Sequence, residues 1–494
     1  MQATSSSGQK QGVSLISAKN ILAIVLIILM FGGKWLPSMF GLSDTGMQVL
    51  GIFVATIGLW LFVSTNWPSI LSIVALTFTP FFDYQTVLAG SMGAWITSFV
   101  LFSAMLSYVL GQSGFLKRIS VWFITRPATK KNPWLFLGYF FLVPLVIGAF
   151  MSPITAFMVT VPIAESIFKE LGYVKGDRLP QMIVLGLLGF SSVSTLTTPI
   201  AHSVTILGLS LYQKDFNRAI GFVPYSIFGI VTAIFIFIIT MLIFRFVFKP
   251  DLSKLANVKT DAMVKELPAV STRERIIVAV FAGVVILWLA PGLIEPFLPK
   301  VAAAITAMGT PIPPMLGIVV LALVKVDGKP LMDFKDAVAH GVPWGAIFMV
   351  ASTMVLGSAL TNPKAGITTL LVKALSPLLS GFTPLIFVTI VMLVLTVVHI
   401  FASNTVTITL MYSVVMPIVA SGAISGVNAA ALTCCIAAGG CIGMATPPST
   451  ATAAIAVGTE WLHTDLLLRY GTLICFVAAL LISWIGYPIA AALL

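Results

Sequence analysis

The segment HIFASNTVTITL (residues 399–410) places a histidine, the triplet Ser403, Asn404 and Thr405, and two further threonines between strongly apolar stretches. In lipid, each polar group that lacks a partner costs several kcal/mol. The segment therefore predicts a break between two helices, with its polar groups turned toward a cavity inside the protein.

The composition shows that most of the chain is surrounded by lipid. Of its 494 residues, 59% are hydrophobic and 9% are charged, and the mean hydropathy is +1.07. Many apolar runs approach the roughly 20 residues that span a bilayer. We therefore expect an all-α polytopic membrane protein. Residues 1–19 are polar, without an apolar core or a cleavage site, and are predicted to be a cytoplasmic tail.

Cysteine usage and net charge give no sign of other functions. The four cysteines lie in apolar segments, where they behave as small hydrophobic residues, and no disulfide or metal spacing is visible. The net charge of +11 is carried by loops beside the spans. Because cytoplasmic loops of membrane proteins are rich in Lys and Arg, this charge does not indicate nucleic-acid binding.

The hydrophobic pattern predicts about eleven transmembrane helices and two re-entrant helical hairpins. The hairpins, residues 133–170 and 375–420, are apolar stretches interrupted midway by SPIT (152–155) and SNT (403–405). The predicted spans are 20–42, 46–65, 67–82, 90–113, 181–212, 221–248, 275–295, 311–326, 343–361, 428–459 and 470–493.

The positions of the basic residues support this map. With a cytoplasmic N-terminus and hairpins that return to the face they left, all but six of the 27 Lys and Arg residues are cytoplasmic. Counting either hairpin as a full span would reverse every later loop and remove this asymmetry. Eleven spans place the C-terminus outside, in a multi-pass protein of the cell membrane. The six external residues are Lys34, Lys214, Arg218, Lys300, Lys364 and Lys373.

The chain contains an internal repeat. The longest polar loop, 249–274, separates a first half (20–248) from a second half (275–494). At a fixed offset of 251 residues the first hairpin aligns with the second; upstream the offset is 249, and downstream TTPIAHS (197–203) aligns with ATPPSTA (445–451) at an offset of 248. The span map gives the copies opposite orientations. The matched pairs include Trp95 with Trp344, Pro133 with Pro384, Phe136 with Phe387, and Ser152 with Ser403.

Inverted repeats with paired, broken helices are typical of secondary transporters whose substrate lies near the middle of the bilayer. At each hairpin tip one helix ends and another begins, and the TTP and ATPP segments supply a second pair of breaks. Each helix N-terminus carries roughly half a positive charge, which suits an anion. The sequence therefore predicts a carrier of small anions.

The SNT tip, the ATPP break, their partners SPIT and TTP, and the two-hairpin layout resemble the divalent anion/sodium symporter family, the INDY-type dicarboxylate and citrate transporters. The resemblance covers nearly all of the chain after residue 20. It implies a homodimer in which an outer scaffold, broadly spans 1 to 4 and 7 to 9, holds a mobile transport domain. That domain carries a C4 to C6 carboxylate by an elevator motion.

The same resemblance assigns the binding residues. The hairpin tips are expected to hold the carboxylates, and the TTP and ATPP breaks are expected to frame the site. These substrate-binding residues are Ser152, Pro153, Thr155, Thr198, Pro199, Ser403, Asn404, Thr405, Thr446 and Pro447.

The sequence departs from the family pattern at three positions. Sodium-coupled members have SNT at both tips, whereas Pro153 here offers neither a side-chain amide nor an N–H. His202 and His399 stand where the family tends to have small oxygen-bearing residues. The departures predict sodium-independent dicarboxylate exchange, with both histidines as cation substitutes and no bound cofactor. The alternative is sodium-coupled symport of a dicarboxylate or sulfate.

Other interpretations remain at this stage. Each histidine could simply hydrogen-bond a free carbonyl at its helix break. An anion channel could use the same hairpin tips, although no rings of charge are visible. An intramembrane hydrolase would need acid and base groups within the spans, and neither a carboxylate pair nor an HExxH or GxSxG motif occurs there.

Overall fold

The computed structural model describes residues 18–39, 41–127, 129, 132–257, 265, 267–379 and 381–494. Most of the predicted tail and part of the predicted linker, residues 258–264 and 266, lie outside this range. Apart from short 3₁₀ turns, the helices are Ala18–Gly32, Asp44–Phe62, Trp67–Leu76, Tyr84–Gly90, Trp95–Gln112, Phe115–Ile124, Pro133–Gly148, Pro153–Glu170, Arg178–Ser194, Ser203–Phe216, Phe222–Phe248, Thr272–Ile294, Pro299–Ala307, Ile312–Leu323, Phe334–Asp336 with the π-helical turn Ala337–Gly341, Trp344–Thr361, Ile367–Leu379, Pro384–Phe401, Asn404–Ala420, Ala429–Gly439, Ala451–Gly458 and Thr464–Leu493.

The described chain is helical, with one two-stranded antiparallel ribbon, Lys325–Val326 paired with Lys329–Pro330. Many helices begin at capping residues that the sequence supplies. The Asn132 side chain accepts from the N–H of Trp134, and the Ser271 side chain accepts from that of Glu274. These caps satisfy backbone donors that the first helical turn leaves free.

Within the described residues, eight helices are long and apolar enough to cross a bilayer. A ninth crossing is counted if Pro299–Ala307 and Ile312–Leu323, which meet at 73°, are taken together. The all-α polytopic fold is therefore confirmed. The breaks predicted within 181–212 and 428–459 are present, whereas the prediction of a continuous span was wrong at 67–82, where the helix Trp67–Leu76 has only ten residues.

Each predicted hairpin consists of two helices joined by a short tip. Hairpin 1 comprises Pro133–Gly148 and Pro153–Glu170, which agrees with the predicted bounds. Hairpin 2 comprises Pro384–Phe401 and Asn404–Ala420. Its predicted start at residue 375 was wrong, because residues 375–379 end a separate helix, Ile367–Leu379.

The repeat appears in the structure as paired helices that start in the same register. The offsets found in the sequence therefore reflect real structural equivalence, not shared apolar composition alone. Matched helix starts are Trp95 with Trp344, Pro133 with Pro384, and Pro153 with Asn404.

The two hairpins enter the molecule from opposite sides. Phe168, near the base of hairpin 1, packs on Trp461 just before the terminal helix Thr464–Leu493, with ring centroids 5.0 Å apart. Asn428, just after hairpin 2, donates its N–H to the hydroxyl of Tyr487 near the other end of that helix. At a rise of about 1.5 Å per residue, these two contacts lie roughly 35 Å apart along the axis of the terminal helix. The repeat is therefore inverted.

Each half also contains a broken span. In the first, Arg178–Ser194 and Ser203–Phe216 flank the TTP segment. In the second, Ala429–Gly439 and Ala451–Gly458 flank the ATPP segment. Proline cannot donate an N–H to a preceding turn, which accounts for helix breaks at these positions.

The apolar core is divided unequally. A small cluster contains residues of the first three helices with Leu356 and Leu360. A large cluster contains both hairpins and both broken spans, together with Phe99 and Trp288 from helices assigned to the predicted scaffold. The core does not separate scaffold from transport domain, so that division stays a prediction.

Candidate functional site

The two hairpin tips meet at one cavity of about 560 Å³. Both broken spans, the helix Trp95–Gln112 and the start of the helix Trp344–Thr361 complete its wall. Seven of the twelve site residues predicted from the sequence line it: Ser152, Pro153, Thr155, His202, Ser403, Asn404 and Thr405.

The tip serines occupy N-cap positions but do not cap. Ser152 precedes the helix that begins at Pro153, and Ser403 precedes the helix that begins at Asn404, yet neither side chain accepts from its helix. The hydroxyl of Ser403 is buried and has no hydrogen-bond partner. A buried hydroxyl and uncapped first-turn N–H groups at a helix N-terminus are suited to binding an anion.

The side chain of Asn404 makes one hydrogen bond to another described residue. Its side chain is 9% exposed, and its Oδ1 lies 2.8 Å from Nε2 of His399. An amide oxygen accepts hydrogen bonds and cannot donate them, so the imidazole Nε2–H is the donor. His399 itself is 2% exposed and stands behind the tip, outside the cavity lining.

His202 caps the second helix of the first broken span. Its Nδ1 accepts from the N–H of Val204 at 3.0 Å, which requires that nitrogen to carry no proton. In the second half the matched residue, Thr450, accepts from the N–H of Ala453 at the same point. The capping geometry favours a neutral imidazole, since a helix N-terminus disfavours a cation.

The TTP and ATPP threonines hold the hairpins in matching ways. Thr198 donates its hydroxyl proton to the carbonyl of Ala149, and Thr446 donates to the carbonyl of Ile400. Ala149 and Ile400 are themselves related by the 251-residue offset. Neither threonine lines the cavity, and nor do the prolines that follow them, Pro199 and Pro447. The two threonines therefore hold the hairpins from outside the cavity lining.

Several cavity residues are not among the site residues assigned from the sequence. The helix Trp95–Gln112 contributes a polar face that includes Ser103, whose buried hydroxyl has no partner. Ser103 matches Ser352 in the repeat, and this was the one signal that marked it. The spacing of residues along the sequence does not show that the helix Trp95–Gln112 faces the hairpin tips. The additional polar lining residues are Thr65, Ser103, Ser107, Tyr108, Ser192, Ser203, His340, Ser449, Thr450 and Thr452.

The cavity opens beside a small polar cluster. His340 is 68% exposed and its Nδ1 lies 2.8 Å from Oδ1 of Asp336. Tyr108 donates its hydroxyl proton to Oδ2 of the same carboxylate. His340 lines the cavity and is largely exposed, so it stands at the mouth.

Among the described lining residues there is no Lys, Arg, Asp or Glu. The positive potential at the tips therefore comes from helix N-termini and from N–H and O–H donors. Such a site suits a small anion that is bound without a fixed counter-ion. An inverted pair of hairpins converging on a neutral, donor-rich cavity defines a membrane carrier of small anions.

The chain belongs to the sodium:sulfate symporter family, whose transmembrane-region model matches residues 15–492. This confirms the divalent anion/sodium symporter resemblance and makes the protein a multi-pass membrane transporter, not an enzyme.

The proteins that are similar to it include the following two. A sodium-dependent dicarboxylate transporter, SdcS, of Staphylococcus saprophyticus subsp. saprophyticus is 25% identical over 394 residues, which cover 75% of this chain and 73% of the relative. The crystal structure of the YdaH transporter of Alcanivorax borkumensis has a TM-score of 0.54 and 14% identity, covering 82% of this chain and 88% of that one. The second similarity concerns the fold alone.

Proposed function

We propose that the protein carries a small dicarboxylate across the cell membrane, together with sodium. One observation carries the anion part of this proposal: both uncapped tip serines and the tip asparagine face one cavity that has no fixed charge in its described lining. The two carboxylates of the substrate would each meet one hairpin tip, with Ser152 and Thr155 on one side and Ser403, Asn404 and Thr405 on the other.

Charge balance supports a coupled cation. A dicarboxylate brings about two negative charges, whereas two helix N-termini offset about one. An unpaired charge in a low-dielectric site is costly, so a cation that enters with the substrate would supply the remainder. The family description and the name of the relative both specify sodium. These findings favour symport over the exchange predicted from the sequence.

Sodium-independent exchange is the second candidate, and a specific observation favours it. Pro153 stands at the first tip without an amide or an N–H, and His202 and His399 lie beside the two breaks. A protonated imidazole could replace a transported cation. Both histidines, however, make hydrogen bonds that a neutral ring makes equally well. We therefore place exchange after symport.

The orientation of the cavity follows from the charge map. The loop that contains His340 lies on the predicted cytoplasmic side, so this conformation is open to the cytoplasm.

Alternating access then requires the hairpins and broken spans to move against the remaining helices, which is the elevator motion implied by the family. We propose that the N-terminus lies inside and the C-terminus outside, as the positive-inside bias requires. We further propose a homodimer, which light scattering of the detergent-solubilised protein tests.

Transport in proteoliposomes separates these candidates. Uptake of labelled succinate, malate, 2-oxoglutarate, citrate and sulfate is measured in sodium or in choline, into vesicles that are empty or loaded with the unlabelled compound. Symport predicts sodium-dependent uptake into empty vesicles. Exchange predicts uptake that requires internal substrate and is unchanged in choline. Linear, non-saturating flux would indicate a channel, and absence of uptake for every compound would overturn the carrier assignment.

A further inference from the structure

The contact between His399 and Asn404 has a direct effect on what the site presents to its substrate. His399 lies in the last turn of the first leg of hairpin 2, and Asn404 begins the second leg. Nε2 of His399 donates to Oδ1 of Asn404 over 2.8 Å. Because the oxygen is engaged behind the tip, the amide N–H groups are left to face the cavity.

The opposite amide orientation would present oxygen to the carboxylates and repel them. We propose that His399 is a positioning residue: it holds the amide of Asn404 so that hydrogen-bond donors, not the acceptor, face a dicarboxylate. This inference rests on the proposed carboxylate transport. It assigns His399 a role that requires an N–H at one defined atom and does not require a positive charge.

The surroundings of the imidazole are consistent with a single fixed role. A Cβ built at Gly443 would lie 2.6 Å from Nε2 and 2.7 Å from Cε1 of His399 and 2.9 Å from Cγ2 of Thr450, so the ring and the threonine methyl group together fill the space left by that glycine. Nδ1 of His399 is buried and has no hydrogen-bond partner. The bond to Asn404 is the side-chain hydrogen bond of the ring, and the backbone carbonyl of Gly439 lies beside the ring as a second acceptor.

Two substitutions at His399 separate positioning from charge. His399→Leu removes the donor, and His399→Gln retains a neutral amide N–H of similar reach. Labelled succinate uptake by the purified variants in proteoliposomes gives KM and maximal rate. We expect Leu to raise KM roughly tenfold with a change of less than about twofold in maximal rate, and Gln to restore KM to within about threefold of wild type. Equal loss in Leu and Gln would overturn the inference.

A double variant tests whether His399 acts through the asparagine. If it does, His399→Leu combined with Asn404→Ala should have the same KM as Asn404→Ala alone, because no amide remains to be held. Independent, multiplicative effects would contradict the inference. If the wild-type protein transports no dicarboxylate, the proposed function fails and this inference fails with it, whereas the histidine results above overturn the inference alone.

Gly443 provides an independent variant that leaves the histidine in place. Gly443→Ala should displace the ring from Asn404 and reproduce the higher KM of His399→Leu. Gly458→Ala is the matched control, because nothing lies within 4 Å of a Cβ built there. Monodisperse elution in size-exclusion chromatography establishes folding. An unchanged KM in folded Gly443→Ala protein would contradict the inference.

Discussion

Asn404 is the residue whose side chain is best placed to recognise a carboxylate. Replacing it with alanine removes a hydrogen bond to a charged group, worth about 1.5 to 3 kcal/mol, and we expect affinity to fall roughly ten- to a hundredfold. Succinate KM in proteoliposomes measures the change. The control is Asn362→Ala, whose side chain caps a surface turn away from the cavity. Unchanged affinity in folded Asn404→Ala protein would contradict the assignment.

Ser403 permits a test in which affinity and stability change separately. Its hydroxyl is buried without a protein partner, so Ser403→Ala removes no intramolecular hydrogen bond. We expect the unfolding temperature without substrate to stay unchanged or to rise slightly, because an unsatisfied polar group has been deleted. Substrate affinity should fall, and the stabilisation that added succinate provides should diminish. A lower unfolding temperature in the absence of substrate would show that the hydroxyl has a structural partner.

Among the elements, each broken span is positioned by a glycine on a neighbouring helix. A Cβ at Gly229 would lie 1.9 Å from the carbonyl oxygen of Leu196, and a Cβ at Gly471 would lie 2.0 Å from that of Met444. Leu196 and Met444 each stand two residues before the matched threonines. The same close approach therefore fixes both breaks.

Substituting either glycine should displace the helix break that packs against it. We expect Gly229→Ala and Gly471→Ala each to lower the unfolding temperature, since backbone must move to admit the methyl group. Gly283→Ala, which meets nothing within 4 Å, should not. Thermal unfolding followed by size-exclusion chromatography measures the difference. Equal stability of all three variants would show that the breaks adapt without cost.

At the scale of the whole molecule, the basic residues determine which face is cytoplasmic. The turn at Lys329 is predicted inside and the helix start at Lys300 outside, because the positive-inside bias requires it. In a background without the four buried cysteines, a membrane-impermeant maleimide applied to intact cells should label Lys300→Cys. It should label Lys329→Cys only after permeabilisation. The reverse pattern would invert the topology and place the open cavity on the outside.

Much of this architecture was readable from the sequence because it depends on local chemistry and on a repeat. The apolar periodicity gave the polytopic helical fold, and the prolines and polar tips gave the hairpins and breaks. Span continuity was harder to predict, since an apolar stretch such as 67–82 satisfies the hydropathy of a full crossing while Trp67–Leu76 ends after ten residues.

The candidate site, like the fold, could be predicted from the sequence only in part. The tip residues Ser152, Ser403 and Asn404 were found because two sequence-adjacent helix ends must leave donors free, and that is a local property. The roles of the residues around them depend on distant partners. Whether Thr446 lines the cavity or holds Ile400, and whether His399 carries charge or holds Asn404, is decided by which atoms packing brings within hydrogen-bond distance.

The sequence by itself determined the class of protein, the inverted repeat and the tip residues, because hydropathy, helix breaks and self-similarity are all properties of the chain. Only the tertiary structure decided that the helix Trp95–Gln112 lines the cavity of the tips, that His340 stands at its mouth and that His399 stands behind Asn404. The physical reason is that lipid imposes the same apolar surface on every span, so the pattern specifies which segments cross without specifying which polar atoms face one another.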